Sequence, residues 1–218
     1  MLRTFASLPR NNYFAPEWRF DFFETTLHDS KLIENLKILI LEKEQEIIKK
    51  YPYVEHDGGT GLGLDSLTAR FPYFNIFTWT EEPFVAFQNF VKEEYLKFLD
   101  TVQIKSPKTF IGCWANVMRE GQSIEPHWHS CFQDSFLGGH FVVACENTAT
   151  FYQNPYLPTD TWPFDNSPGN LTFFPSHLMH WTSQHMGSQQ RITIAFDIVT
   201  ENYIKDFPKE SKNYVEFV

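Results

Sequence analysis

Basic residues are scarce and never clustered. The chain has 18 lysines and arginines against 27 aspartates and glutamates, a net charge of −9, and no basic run that would follow a phosphate backbone, so nucleic acid is not an expected partner. Cysteine is nearly absent. Cys113, Cys131 and Cys145 are odd in number and unpatterned, which excludes a disulfide framework and suits free thiols in a reducing compartment, with a cytoplasmic location expected. Long apolar runs are missing too. None approaches the roughly eighteen residues of a membrane span, and the opening MLRTFASLPR lacks the apolar core of a signal peptide. No membrane association is expected, and the two arginines of that stretch leave a transit peptide as the alternative to an unprocessed N-terminus. Of only 10 glycines, four fall in DGGTGLGLD (57–65). Without a following Gly-Lys-Ser/Thr this is no nucleotide-phosphate loop, and it reads as a flexible turn near the mouth of a site.

What the chain does have is apolar and aromatic mass. Hydrophobic residues make up 42% of 218 positions, with 23 phenylalanines, enough for one domain over 1–218 with a sizeable core. Residues 1–29 show no periodicity and read as an extended arm lying across the sheet, with an edge strand near RFDFFETTL. From Lys31 to Lys50 apolar residues recur at helical spacing, with Asp29 or Ser30 as cap. A second helix starts at Pro83 and runs to about Val102. Arm and helices together form a supporting region, 1–105. Over 106–200 the pattern turns strand-like. TFIGCWANVM, HFVVAC, TATFY, LTFFP and RITIAFDIV are β-rich runs separated by turn residues, as in an antiparallel sandwich or barrel, so the class is mainly β with flanking helices (α+β). Residues 155–170 read as a long loop bordering the substrate entrance. Residues 201–218 form a C-terminal extension.

The stretch that organises these parts is Trp114 to His129. His127 and His129 are two apart, so on an extended strand both rings leave the same face and can hold one metal. His180 offers a third imidazole. In RITIAFDIV, Arg191 and Thr193 share one face while Ile192, Ile194 and Phe196 take the other. That places a guanidinium inside an apolar sheet, where it needs an anionic partner. Asn116 and Trp114 share a face, which makes Asn116 an inward polar group in need of partners. His140 is a candidate to support the site from behind, and the remaining histidines read as surface or hydrogen-bonded core groups.

His127-x-His129, His180 behind the FFPS run at 173–176, and Arg191-x-Thr193 resemble the iron(II)- and 2-oxoglutarate-dependent oxygenase superfamily, most of all its small prolyl-hydroxylase-like members from phages and bacteria. Asn116, eleven residues before His127, is similar to the cosubstrate-contacting asparagine of the DNA-repair demethylase branch. The resemblance covers about residues 108–200. It implies a double-stranded β-helix (a cupin-like jelly roll) holding Fe(II) on His127, His129 and His180. It also implies 2-oxoglutarate bound by Arg191 and Thr193, with Asn116 and Trp114 beside it, and hydroxylation of a small molecule or protein residue with succinate and CO2 as co-products. Ascorbate is an accessory reductant on this reading, and a homodimer is one allowed assembly.

The chain departs from the superfamily at position 129, where a carboxylate is usual. His129 then acts as ligand itself, or a carboxylate is recruited from Glu125 or Asp134. The same three histidines resemble a cupin-type metal dioxygenase that does not use 2-oxoglutarate. A barrel that binds a ligand without catalysis is the remaining alternative, and a nucleic-acid demethylase is disfavoured by the charge.

Overall fold

The computed structural model describes residues 1–129 and 135–218. Asp134 and Cys131 lie outside the described residues. Along the chain come β1 (Leu2–Ala6), β2 (Arg19–Thr26), α1 (Ser30–Lys50), two 3-10 turns (Thr68–Tyr73 and Ile76–Thr78) and α2 (Glu82–Thr101). They are followed by β3 (Thr109–Met118), β4 (Ser135–Ala144), β5 (Ala149–Gln153), β6 (Thr161–Asp165), β7 (Asn170–Pro175), β8 (His180–Thr182), β9 (Arg191–Thr200), α3 (Glu201–Asp206) and β10 (Val215–Glu216). The strands form two antiparallel sheets, one of seven strands in the order β1-β2-β7-β4-β9-β3-β10 and one of three in the order β6-β5-β8.

Both helices obey the sequence pattern. The Asp29 carboxylate accepts the Leu32 N–H at 2.9 Å and starts α1, whose Leu36, Ile40 and Ile47 are buried. Pro83 stands in the first turn of α2, and Phe84, Phe87, Val91 and Phe98 turn inward. Together the helices cover one face of the large sheet. Ile111, Cys113, Ala115 and Val117 of β3, Ile192, Ile194, Phe196 and Ile198 of β9, and Phe173 of β7 meet them there in the main core. Each fully buried phenylalanine contributes on the order of 1.5–3 kcal/mol by leaving water. Arg119, just past β3, forms a bidentate pair with the buried Glu44 of α1 at 2.7 Å on both arms, tying that helix to the strand that carries Asn116.

Because side chains alternate along a strand, the opposite face of the large sheet receives the intervening residues. Phe20 and Phe22 of β2 and Phe174 of β7 pack there against Tyr152, Trp162 and Phe164 of the small sheet in a second, aromatic core. Next to it the same inter-sheet space turns polar, and there the site lies.

Three expectations need correction. The stretch RFDFFETTL is not an edge: β2 is flanked by β1 and β7, so residues 1–29 extend the sheet rather than lie across it. The stretch 155–170 is not all loop. It contains β6, with Trp162 and Phe164 buried on alternate positions, and none of its residues lines the site cavity. Pro163 hides the strand pattern, yet a proline is tolerated because β6 is an edge strand. Finally, His127 and His129 do not lie in a continuous strand. His127 forms an isolated antiparallel bridge with His180, through His127 N–H to His180 O at 3.0 Å and the reverse bond at 2.8 Å. His129 donates its N–H to Ser176 O at 3.2 Å.

Candidate metal centre

These backbone bonds run the segment before β4 alongside the segment that leads into β8, and so bring three imidazoles together from two directions. Ring centroids of His127 and His180 are 4.3 Å apart, those of His129 and His180 4.8 Å, and those of His127 and His129 5.4 Å. One potential ligand atom from each ring lies within 4.8 Å of the other two.

Each ring is held by its Nδ1. His127 Nδ1 meets Glu125 O at 2.8 Å, His180 Nδ1 meets Leu178 O at 2.9 Å, and His129 Nδ1 meets the Asp197 carboxylate. Carbonyl and carboxylate oxygens only accept, so in all three rings Nδ1 carries a proton, and Nε2 is the nitrogen left to face a metal. Burial, reinforced by the neighbouring His129, pushes His127 down to about 4, and burial first, then His129 and His127, holds His180 well below the ordinary histidine range. Both are therefore neutral near pH 7. Converging imidazoles, each oriented by a second partner on its other nitrogen, are what a divalent transition metal requires.

Asp197 stands on β9 opposite Gly138 of β4 and Gly112 of β3. A Cβ at Gly138 would come 3.3 Å from His129 Nδ1, and a Cβ at Gly112 would come 2.7 Å from the Tyr214 ring. The two glycines thus leave the room through which His129 and Tyr214 reach the carboxylate. Tyr214 donates its hydroxyl to Asp197 Oδ2 at 3.2 Å. Burial, with the Asp197 charge beside it, keeps that phenol well above its ordinary range and hence a donor.

The other sequence-predicted residues line the same cavity, which has a volume of about 150 Å³. Arg191, 1% exposed, donates Nε–H to Thr148 Oγ1 at 3.1 Å and contacts Met118 Sδ at 3.1 Å. No carboxylate among the described residues lies within ion-pair distance of it. Burial lowers its pKa to about 10, with the Cys145 thiol acting weakly the other way. Thr193 sits opposite Asn116 across β9 and β3. Asn116 donates to Thr193 Oγ1 at 3.3 Å and accepts from Thr68 Oγ1 at 2.9 Å. Trp114 packs its ring 5.6 Å from His129. His140 reaches Tyr152 Oη at 3.4 Å and is pushed down to about 3 by burial, then by Arg191 and His129. Glu125 is not grouped with the imidazoles: its side chain lies against Gly61, where an added Cβ would meet Cγ at 2.5 Å.

The glycine-rich loop forms one wall through Gly58 and Thr60. It is pinned from within. Asp57 accepts from Gly59 N at 3.0 Å and Gly63 N at 3.1 Å, and buried Arg70 donates to Tyr51 O, Ser66 O, Pro52 O and Leu64 O. Thr60 O receives the Glu125 N–H at 2.8 Å, which docks the loop on the segment leading to His127.

No family model and no curated relative matches the sequence. Solved structures do match. One is a prolyl-4-hydroxylase of Pseudomonas putida, 8% identical, aligned over 83% of this chain and 92% of that one with a TM-score of 0.57. Another is the viral collagen prolyl hydroxylase of Paramecium Bursaria Chlorella virus-1 in its 2-oxoglutarate complex, 13% identical over 82% of this chain and 95% of that one, TM-score 0.52. A non-heme monooxygenase solved as a nickel complex, ThoJ, is 13% identical over 82% and 73%, TM-score 0.52. The fold is the one these oxygenases share. At such identities the likeness concerns architecture, and the chemistry must be argued from the side chains.

Sequence reasoning missed Asp197, Thr68, Thr148 and Tyr214. Asp197 was within reach, since the alternation that pairs Arg191 with Thr193 continues through Ala195 to Asp197. Thr68 and Tyr214 enter from the supporting region and the C-terminal extension, and no local pattern points from them to the site. No helix among the described residues is long and apolar enough to cross a membrane.

Proposed function

We propose that the protein is an iron(II)- and 2-oxoglutarate-dependent oxygenase that hydroxylates a small molecule or a protein residue, its two sheets forming a double-stranded β-helix. The observation that carries this reading is the pairing, in one cavity, of three imidazoles held through Nδ1–H with a buried arginine that has no carboxylate partner among the described residues. Iron(II), when bound, supplies oxygen activation coupled to conversion of 2-oxoglutarate to succinate and CO2.

The chain's own residues do the rest. His127, His129 and His180 offer Nε2 lone pairs for the metal, and neutral nitrogen donors suit iron. Arg191 supplies the fork for the far carboxylate of 2-oxoglutarate, and a bidentate charge-assisted pair offsets the cost of burying the guanidinium. Thr193 already accepts from Asn116, so its own hydroxyl proton is free to be donated to the same carboxylate. Asn116 and Thr68 hold that hydroxyl in place. Trp114 and Phe174 present apolar walls that keep water from the reacting centre.

Anaerobic addition of iron(II) and 2-oxoglutarate tests the reading. The expected result is the weak visible charge-transfer band of the chelate, followed in air by succinate formation with ascorbate present. The all-histidine set also favours a second reading, a cupin-type dioxygenase that does not use 2-oxoglutarate. Oxygen uptake with 2-oxoglutarate left intact would select it.

A further inference from the structure

Three histidines bring no negative charge of their own to a divalent cation, yet among the described residues one carboxylate stands a single hydrogen bond behind them. Asp197 stands between two glycines whose missing side chains admit its two partners: His129 past Gly138 to Oδ1, and Tyr214 past Gly112 to Oδ2. We propose that Asp197 is the positioning residue of the metal centre, fixing His129 as the Nδ1–H tautomer with Nε2 toward the metal and supplying from behind the charge the ligand set lacks. The inference rests on the metal reading above.

Three features separate this from an incidental contact. Both carboxylate oxygens are engaged by partners distant in sequence, so the side chain is oriented rather than merely tolerated. His127 and His180 rest on backbone carbonyls, so His129 alone of the three is held by a charged group. A carboxylate behind a ligating imidazole raises its basicity, and losing such a partner typically weakens metal binding by about 10–100-fold. Tyr214 reaches the site from the C-terminal segment, so that segment contributes to the metal centre without touching the metal.

Cobalt(II) titrated into the full chain, read by its visible ligand-field bands and by competition with a chelator, tests the proposal. Asp197→Asn should bind cobalt about 10–100-fold more weakly than the parent, with the circular dichroism of the metal-free protein unchanged. In the zinc-loaded parent, 15N NMR should find the His129 proton on Nδ1 and the metal on Nε2, a readout that needs no variant to fold. Parent-like cobalt affinity in Asp197→Asn, or zinc on His129 Nδ1, overturns the role of Asp197 while leaving the metal centre standing. A parent that binds neither cobalt nor zinc overturns the metal reading and this inference with it.

Discussion

Gly138 and His129 are complementary: a Cβ on the glycine would lie 3.3 Å from the imidazole Nδ1 and 2.9 Å from two atoms of the Phe174 ring. Gly138→Ala should therefore tilt His129 off Asp197 and weaken metal binding by about 10-fold. The overpacking should cost about 1–3 kcal/mol of stability. Isothermal titration with cobalt(II) and thermal unfolding of the same preparation measure both. Unchanged affinity would mean that Phe174 alone yields and that His129 needs no such clearance.

Arg191→Ala should leave metal affinity nearly intact and weaken 2-oxoglutarate binding by about 2–4 kcal/mol, the scale of losing a buried charged hydrogen-bond partner. Arg191→Lys should rescue only part, since a single ammonium cannot reproduce the planar fork. Anaerobic titration of the metal-loaded variants decides. Equal cosubstrate affinity in parent and alanine variant would assign Arg191 to holding Thr148 and nothing more.

His129→Ala should lose most metal affinity, because two protein donors remain. His129→Asp should retain metal through a carboxylate at the same position. Glu125→Gln should bind metal as the parent does, since the Glu125 side chain is turned onto Gly61. Loss of metal in Glu125→Gln with retention in His129→Ala would exchange the two assignments.

Metal-free protein should lose stability as pH falls from about 7 to 5. His127 and His140 are held at about 4 and about 3, and His180 well below its ordinary value, all by burial first. In the unfolded chain these histidines take up protons below about 6.5, while the folded protein does not. The folded pKa values are depressed, so their contribution is complete above the unfolded value and declines as pH drops toward the folded ones. The slope is about 1.4 kcal/mol per pH unit for each histidine. Urea unfolding across that range measures it, and a flat profile would show that the three rings are protonated in the folded state.

The parts of the fold legible in sequence are those set by local periodicity. Both helices follow their apolar spacing and the Asp29 cap. The two faces of β9 follow simple alternation, which makes Arg191 and Thr193 neighbours in one cavity. The illegible parts depend on tertiary context. A strand containing Pro163 is permitted only because it lies at an edge, which the sequence cannot announce. The histidine pair reads as a strand motif, but its geometry comes from one bridge to His180 and one bond to Ser176. Asp197 looks like an ordinary polar break in an apolar run until Gly112 and Gly138 are seen beside it.

The division of β9 between two faces bears on how the chain can change length. Arg191, Thr193 and Asp197 point into the cavity, and Ile192, Ile194, Phe196 and Ile198 point under the helices. One residue inserted between Arg191 and Asp197 would swap the faces of every residue on one side of it, turning a charged side chain toward the helical core and apolar ones toward the cavity. β4 differs, because irregularities between Ser135 and Leu137 and between Val142 and Ala144 already absorb extra backbone at its ends. Descendants of this chain should therefore accumulate insertions at the ends of β4 and in the turns, while β9 keeps its residue count even where its side chains drift.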